Sequence, residues 1–481
     1  MILREMLLSC DILGIQGNPN IDITGVEIDS RRVKSGDLFI CIPGTRVDGH
    51  TFAKQALDNG AAALVVDHFL PGTMATQICV EDPRLALAQC SAALWNHPAK
   101  TLKMIAVTGT NGKTTTTHFI KHVLEFASAK VGMMGTVSNY IGDVKLPQIL
   151  TTPDPPQLHT LLASMRDAGC EYAILEASAH ALALRKLEGI RFSISVFTNL
   201  SQDHLDDFHT MEAYTEAKHL LFADTRTETA VIHGNDPAST LMVKGRTKPV
   251  LTYGRRPNEN IWADNIYEGL EGVRYTLHYG THVAEIRMQI GGSFNVENSM
   301  AAAAVCLQLG LPLETVAQGL STAPSVPGRI EKVSLDAPFT VVVDYAHSPD
   351  SLRSILQTLR PITNNRLICV YGCGGNRDQT KRPIMGEIAA ENCDFAIITS
   401  DNPRWESPEG IIDMIEAGAR KHPTPYIRMT DRRNAICYAL QMAQEGDTVL
   451  IAGKGHENYQ EIQGVKHPFD DVSVVKEQMY Q

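Results

Sequence analysis

The stretch Gly109-Thr110-Asn111-Gly112-Lys113-Thr114-Thr115 has the residue types and spacing needed to hold a phosphate chain. Glycines let backbone N–H groups turn toward phosphate oxygens, and a helix N-terminus beyond them favours negative charge. A lysine at the end of such a loop reaches the outer phosphates, and the threonine after it can ligate Mg²⁺. The common nucleotide loop reads G-x-x-x-x-G-K-[ST], which would put its first glycine at position 107. This chain has Val107 there, and Gly109 stands inside the loop instead. Other chemistry-bearing residues follow apolar runs farther along. Glu176 follows "YAIL", Asn199 to His204 follow "ISVFT", Asp344 follows "TVVV" and Arg377 follows "RLICVYGCGG". Asp401-Asn402-Pro403-Arg404 follows "FAIITS", and Gly453 to Glu457 follow "DTVLIA". Carboxylates suit a hard cation, and a planar guanidinium suits a carboxylate or phosphate on a ligand.

The elements that must position these residues are strands alternating with helices. "DLFICIPG", "AAALVVD", "MIAV" and the runs just named read as strands, while "TFAKQALDNG", the stretch after Lys113 and "NVENSMAAAAVCLQLG" read as helices. That alternation predicts parallel sheets covered on both faces. In open parallel sheets ligands bind at the carboxyl ends of strands. Any one of these polar clusters would ordinarily be a turn or a helix cap. Six or more in the same topological place predict a site.

At 481 residues the chain is long enough for about three domains. "WNHPAKTLK" reads as a first linker and "STAPSVPGRIEKV" as a second hinge, giving expected domains of 1–98, 99–327 and 328–481. A net charge of −11 argues against a nucleic-acid-coating protein, which would carry a basic stripe. The ten cysteines are scattered, with no C-x-x-C pair, as expected of reduced thiols. No apolar run approaches the roughly 18 residues of a membrane span. "MILREMLLSCDILG" carries a faint lipoprotein-like Leu-Leu-Ser-Cys, but the apolar stretch before Cys10 is too short for a signal segment. A cytoplasmic protein with no membrane partner is expected.

"TGTNGKTT" resembles the nucleotide loop of the Mur ligases, ATP-dependent amide-forming enzymes of peptidoglycan precursor synthesis. "EASAH", "NLSQDHLDDFH", "YTEAKHLLF", "FNVENSMAAAA", "PGRIE", "DYAHSPD" and "GCGGNRDQTKRP" follow in the family's order. "DSRRVKSGDLFICIPG" with "DGHTF" is similar to the uridine-nucleotide-binding domain of the branch that adds the third residue. The resemblance spans essentially the whole chain. It implies an N-terminal uridine-nucleotide-binding α/β domain, a central P-loop parallel-sheet ATPase domain and a C-terminal Rossmann-like α/β domain.

The resemblance also implies roles residue by residue. ATP would lie on residues 109–115 (Gly109, Thr110, Asn111, Gly112, Lys113, Thr114, Thr115), with Asn298 near adenine, Arg329 near the γ-phosphate and Asp344 near the nucleotide. Two Mg²⁺ ions would be held by Thr114, Glu176, His204 and Lys218. Lys218 would carry a CO₂-derived carbamate, although a helix lysine taken alone is expected to face solvent. Lys113, His204, Lys218 and Arg329 would carry the catalysis. Ser30, Thr151, Thr152, Ser178 and Lys186 would contact UDP-N-acetylmuramoyl-dipeptide. Arg377, Asp401, Asn402, Pro403, Arg404, Gly453 and Glu457 would receive the incoming amino acid. Asp-Asn-Pro-Arg resembles the signature for meso-diaminopimelate, whose second carboxylate suits Arg404. The expected enzyme is a monomeric ATP-dependent ligase adding that amino acid to the D-glutamate γ-carboxylate through an acyl phosphate. The alternatives are an L-lysine-adding ligase, a folylpolyglutamate synthetase-like ligase, or a catalytically silent nucleotide-binding regulator. Three places depart from the family pattern: Ser178-Ala179-His180 for Ser-Ser-His, Lys186 for an arginine, and "GGNRD" for Gly-Gly-Asp-Arg-Asp.

Overall fold

The aliphatic runs become strands buried on both faces, as their unbroken hydrophobicity requires. The computed structural model describes residues 1–44, 47–147, 150–269 and 272–479. Among the described residues three large sheets follow one another along the chain, and a two-stranded hairpin, Tyr459–Ile462 with Val465–Pro468, comes after the third. The first has five strands in the order Ile12–Gln16, Thr76–Val80, Ala63–Val66, Asp37–Ile40 and Gly25–Glu27, parallel except for Ile12–Gln16.

The second sheet has eleven strands and is centred on β1 (Lys103–Thr108). After β1 the chain enters α1 (Lys113–Phe126), then passes to Val131–Met134. It returns through β2 (Tyr172–Glu176), which pairs in parallel between Val131–Met134 and β1. β3 (Phe192–Phe197) then pairs on the other side of β1. Neighbouring strands therefore leave β1 in opposite directions, which opens a crevice at its carboxyl end. The phosphate-type loop lies there. Further on come α2 (Met211–His219) and α3 (Phe294–Gln308). α3 packs on α1. The run Ala301–Ala304 is fully buried, and its small side chains allow a close approach.

The third sheet contains β4 (Thr340–Asp344), β5 (Leu367–Tyr371), β6 (Phe395–Thr399) and β7 (Thr448–Ala452), with β7 inserted in parallel between β4 and β5. Its own crevice opens at the ends of β4, β5 and β7, facing the loop after β1. Each sheet has its own hydrophobic clusters. Among the described residues no helix is long and apolar enough to cross a membrane.

Candidate active site

Val107 answers to its strand. It is a fully buried β1 residue, and the chain does not leave the sheet until Thr108. The close approach usually given to the first loop glycine falls to Gly109 (φ +147°), where a Cβ would sit 1.9 Å from Thr198 Oγ1. Gly112 (φ +84°) begins α1, and a Cβ there would lie 2.3 Å from Asn298 Oδ1. The cradle therefore requires both glycines. Lys113 Nζ donates to the Gly109 and Thr110 carbonyls at 2.7 and 2.8 Å, and burial lowers its pKa. A phosphate entering the loop would compete for that ammonium.

Glu176 at the end of β2 is fully buried. It accepts from Thr136 N (2.7 Å), Thr136 Oγ1 (2.9 Å) and Thr114 Oγ1 (3.1 Å). A carboxylate and two hydroxyls gathered at a phosphate loop form the oxygen set that suits magnesium. Arg329, from the second hinge segment, donates through Nη2 to Thr114 Oγ1 at 3.3 Å and lies over the Tyr345 ring at 4.6 Å. Its Nε is buried without a hydrogen-bond partner, which leaves a donor for an anion.

Lys218 corrects the expectation of a solvent-facing helix lysine. It is 1% exposed, in the last turn of α2. Its Nζ sits 4.3 Å from the centre of the Tyr214 ring, one helical turn away. Among the described residues no carboxylate pairs with it. Burial first, and then the charge of Lys113, lower its pKa well below that of an ordinary lysine, with Asp203 opposing. Burial thereby favours the neutral, nucleophilic form of the amine over the ammonium. His204 shares this corner. Its ring meets His180 edge-on at 4.9 Å, and His180 is fixed by Asp207 at 2.7 Å. His204 is the left-handed residue (φ +56°) that precedes a short helix, Leu205–Phe208.

On the other side of the loop, Asn111, Gly112, Thr115, Asn298, Arg329 and Asp344 line a cavity of about 330 Å³. Asn298 is buried inside α3, with its amide donating to Asn295 Oδ1 (3.3 Å). Asp344 accepts from Ile330 N and Ala346 N, both at 2.8 Å, fixing the backbone beside Arg329. Burial raises its pKa.

Thr151, Thr152, Ser178 and Lys186 line the cleft together with Lys113, Glu176, His204, Lys218, Arg329 and Arg377. Thr152 Oγ1 donates to Glu176 O at 2.6 Å and to Ser178 Oγ at 3.2 Å. Lys186 Nζ pairs with Asp154 at 2.8 Å, so the lysine in place of the family's arginine still reaches the cleft wall. Ser30 lies apart, in a separate cavity of about 580 Å³ between the first two sheets, with its hydroxyl donating to Gln55 at 2.7 Å.

A further cavity of about 260 Å³ holds Arg377, Asp401, Asn402, Arg404, Gly453 and Glu457. It shares Thr151, Asp203, His204, Tyr345, His347 and Arg377 with the cleft, so the two are continuous. Pro403 does not line it; its carbonyl instead presses on Gly375, where a Cβ would come within 2.0 Å. Arg404 (φ +52°) donates from Nη1 to Gly375 O at 2.8 Å, and its Nε lies 3.4 Å from Glu461. Asn402 Nδ2 donates to Glu457 at 2.8 Å, and the fully buried Lys454 bridges Asn402 Oδ1 and Glu457, both at 3.1 Å. Burial disfavours the Asp401 carboxylate, but Lys454 and Arg432 hold its pKa below the usual value.

Sequence reasoning gave no individual role to Asp203 and Lys454, which stood only inside the stretches 199–204 and 453–457, and it missed Tyr214, Tyr345, His347 and Lys381; all six line or brace these cavities. Most stand within quoted strand-end motifs, so position beside a named residue was the available signal.

Residues 107–306 match the Mur ligase middle domain, residues 328–455 the Mur ligase glutamate ligase domain, and residues 22–94 the Mur ligase family catalytic domain. The UDP-N-acetylmuramoyl-L-alanyl-D-glutamate–2,6-diaminopimelate ligase of Caldanaerobacter subterraneus subsp. tengcongensis is 43% identical over 466 residues, covering 96% of each chain. The protein of the same name from Gloeobacter violaceus is 44% identical over 481 residues, covering 99% of this chain and 98% of its own. A solved structure of an enzyme of that name aligns over 100% of this chain and 99% of its own, with 34% identity and a TM-score of 0.69. Mycobacterium tuberculosis folylpolyglutamate synthase, solved with ADP and AMPPCP, shares the fold at 18% identity and a TM-score of 0.62, over 77% of this chain and 92% of its own. The chain belongs to the Mur ligase family.

Proposed function

We propose that this protein joins meso-diaminopimelate to the D-glutamate γ-carboxylate of UDP-N-acetylmuramoyl-L-alanyl-D-glutamate, with conversion of ATP to ADP and phosphate. The observation that carries this reading is the continuity of the phosphate-loop cleft with the Arg404 pocket. An acyl phosphate formed in the cleft can meet an amine from the pocket without crossing bulk water. In the first step a carboxylate oxygen attacks the γ-phosphorus and ADP leaves. In the second the amine attacks the acyl carbon, phosphate leaves and the nitrogen loses a proton. Two anions must meet in the first step, so charge neutralisation is the main catalytic demand.

Lys113 and Arg329 supply positive charge from the two domains, and Asn298 and Asp344 line the cavity for the rest of the nucleotide. Thr114, Glu176, His204 and a carbamate on Lys218 would hold two Mg²⁺ ions, which when bound neutralise phosphate oxygens. The carbamate forms when neutral Lys218 Nζ attacks CO₂ and releases a proton. Thr151, Thr152, Ser178 and Lys186 bind the dipeptide portion and Ser30 the uridine side. Arg377, Asp401, Asn402, Arg404, Gly453 and Glu457 receive diaminopimelate, with Pro403 shaping the loop. We divide the chain at 98/99 and 327/328, and read the protein as a cytoplasmic monomer.

One observation favours keeping L-lysine as the rival amine. Glu461 already accompanies Arg404, so the guanidinium is not wholly without a carboxylate when no substrate is present. Phosphate release measured with the UDP-muramoyl-dipeptide and a panel of amino acids tests both readings. Release is expected only when dipeptide and diaminopimelate are both supplied. Full turnover without either would make the protein a simple ATPase.

A further inference from the structure

A second cluster of ligating side chains lies in the N-terminal domain, and none of its members lines the cleft or the amino-acid pocket. His50, Asp67 and His68 each present a ligand atom, all within 4.8 Å of one another. The His50 ring is buried, Asp67 is partly exposed at the end of strand Ala63–Val66, and His68 is exposed. The two imidazoles stack with ring centres 4.8 Å apart.

The hydrogen bonds fix the His50 tautomer. Asp48 Oδ1 lies 2.6 Å from His50 Nδ1, so that nitrogen carries the proton and donates it. In the neutral ring Nε2 keeps one lone pair, which accepts from Asp67 N at 3.3 Å, a long contact that a metal ion would displace. The same lone pair faces the anionic Asp67 Oδ1 at 3.2 Å, while His68 Nδ1 closes on that oxygen too. Two electron-rich atoms at that separation repel unless a proton or a cation lies between them. Tetrahedral zinc with N and O ligands at about 2.0–2.1 Å sets its ligand atoms about 3.3 Å apart, which is close to the spacing of His50 Nε2 and Asp67 Oδ1, whereas His68 Nδ1 lies nearer that oxygen and would move away from it on binding. An imidazole whose outer N–H is held by a carboxylate is also the usual support of a zinc-bound histidine. Exposed His68 can turn its ring to complete the set.

We propose that His50 Nε2, the Asp67 carboxylate and His68 Nδ1 bind one first-row divalent transition metal ion of the zinc class, with solvent in the remaining position. Two histidines and a carboxylate suit such an ion and not magnesium, which prefers an all-oxygen shell. The ion would act as a staple. Asp48 also caps the turn Gly49–Phe52 by accepting from His50 N at 3.0 Å. Phe52, the last residue of that turn, and Gln55 just beyond it line the Ser30 cavity. The metal would tie that turn to the end of strand Ala63–Val66 and stiffen one wall of the cavity.

The test uses the full chain in millimolar Mg²⁺, with Zn²⁺ uptake read by competition with a chromophoric chelator and by elemental analysis. Wild type is expected to retain one zinc that His68→Ala and Asp67→Asn each lose and His204→Ala keeps. Zinc should raise the wild-type Tm but not that of His68→Ala, whose metal-free Tm should match wild type because the side chain is exposed. Co²⁺ bound at the same site should give visible absorption that His68→Ala abolishes. Absence of zinc retention in wild type, or zinc lost only in His204→Ala, would overturn the proposal and leave the cluster as a hydrogen-bonded pair around a protonated His50.

Discussion

Arg329 Nη2 stands 3.3 Å from Thr114 Oγ1, a contact between residues 215 apart that joins the third domain to the helix after the phosphate loop. If this arginine answers the charge of the transferring phosphate, Arg329→Ala should lower kcat by about a hundredfold or more, the effect of losing one strong transition-state donor. Arg329→Lys should recover only part of it, since one ammonium cannot make both contacts of a guanidinium. Steady-state kinetics with ATP varied would separate this from weaker nucleotide binding. A change confined to the KM for ATP would assign Arg329 to binding alone.

For Lys218 burial changes the expected stability effect as well as the chemistry. A surface lysine could be removed with little consequence, but this one is buried, with its ammonium over the Tyr214 ring and no carboxylate paired with it among the described residues. Lys218→Met keeps most of the volume and removes a polar group that costs free energy to bury. Its Tm should equal or exceed that of wild type while turnover falls at least about a hundredfold. Wild-type activity should also decline in CO₂-depleted buffer and return with bicarbonate, whereas Lys218→Met should ignore bicarbonate. Bicarbonate-independent wild-type activity would remove the carbamate from the mechanism.

Arg404 should set the preference for diaminopimelate. Its guanidinium is mostly buried, and Gly375 O and Glu461 occupy only some of its five donors. A ligand carboxylate would satisfy more of them, and leaving a buried donor unpaired costs about 1–3 kcal/mol. Arg404→Ala should therefore narrow the kcat/KM ratio between diaminopimelate and L-lysine by about tenfold or more. Glu461→Gln, which removes the resident counter-charge, should widen it. An unchanged ratio in Arg404→Ala would put selectivity elsewhere in the pocket.

Acid sensitivity should trace in part to His159. Its ring is buried, neither nitrogen has a hydrogen-bond partner, and burial, with a small addition from His97, pushes its pKa down to about 4. The unfolded chain binds this proton near pH 6.5, so its contribution to stability is full above that value. It is lost as pH falls from about 6.5 to about 4, amounting to roughly 3 kcal/mol. His159→Leu should flatten the dependence of urea-unfolding stability on pH across that window by up to one proton. The same slope in both proteins would mean that other groups set the acid limit.

The order of strands and helices and the loop at Gly109–Thr115 were legible in the sequence because they depend on local patterns. Continuous aliphatic runs make two-face-buried strands, and glycines are needed where a Cβ would collide. The order of motifs along the chain likewise pointed to the family. Other features came only with the tertiary structure. Lys218 reads as an ordinary helix lysine, and nothing within α2 says that Tyr214, Lys113 and the strand-end loops close over it. Lys454 and Glu461 look like charged residues near a turn, yet they brace Asn402, Glu457 and Arg404 because β7 is inserted beside β4 and β5 and the following hairpin folds back. Burial and charge pairing are sums over neighbours distant in sequence, so a pKa shift or a bridge such as Arg329 to Thr114 does not exist until the sheets are set against one another.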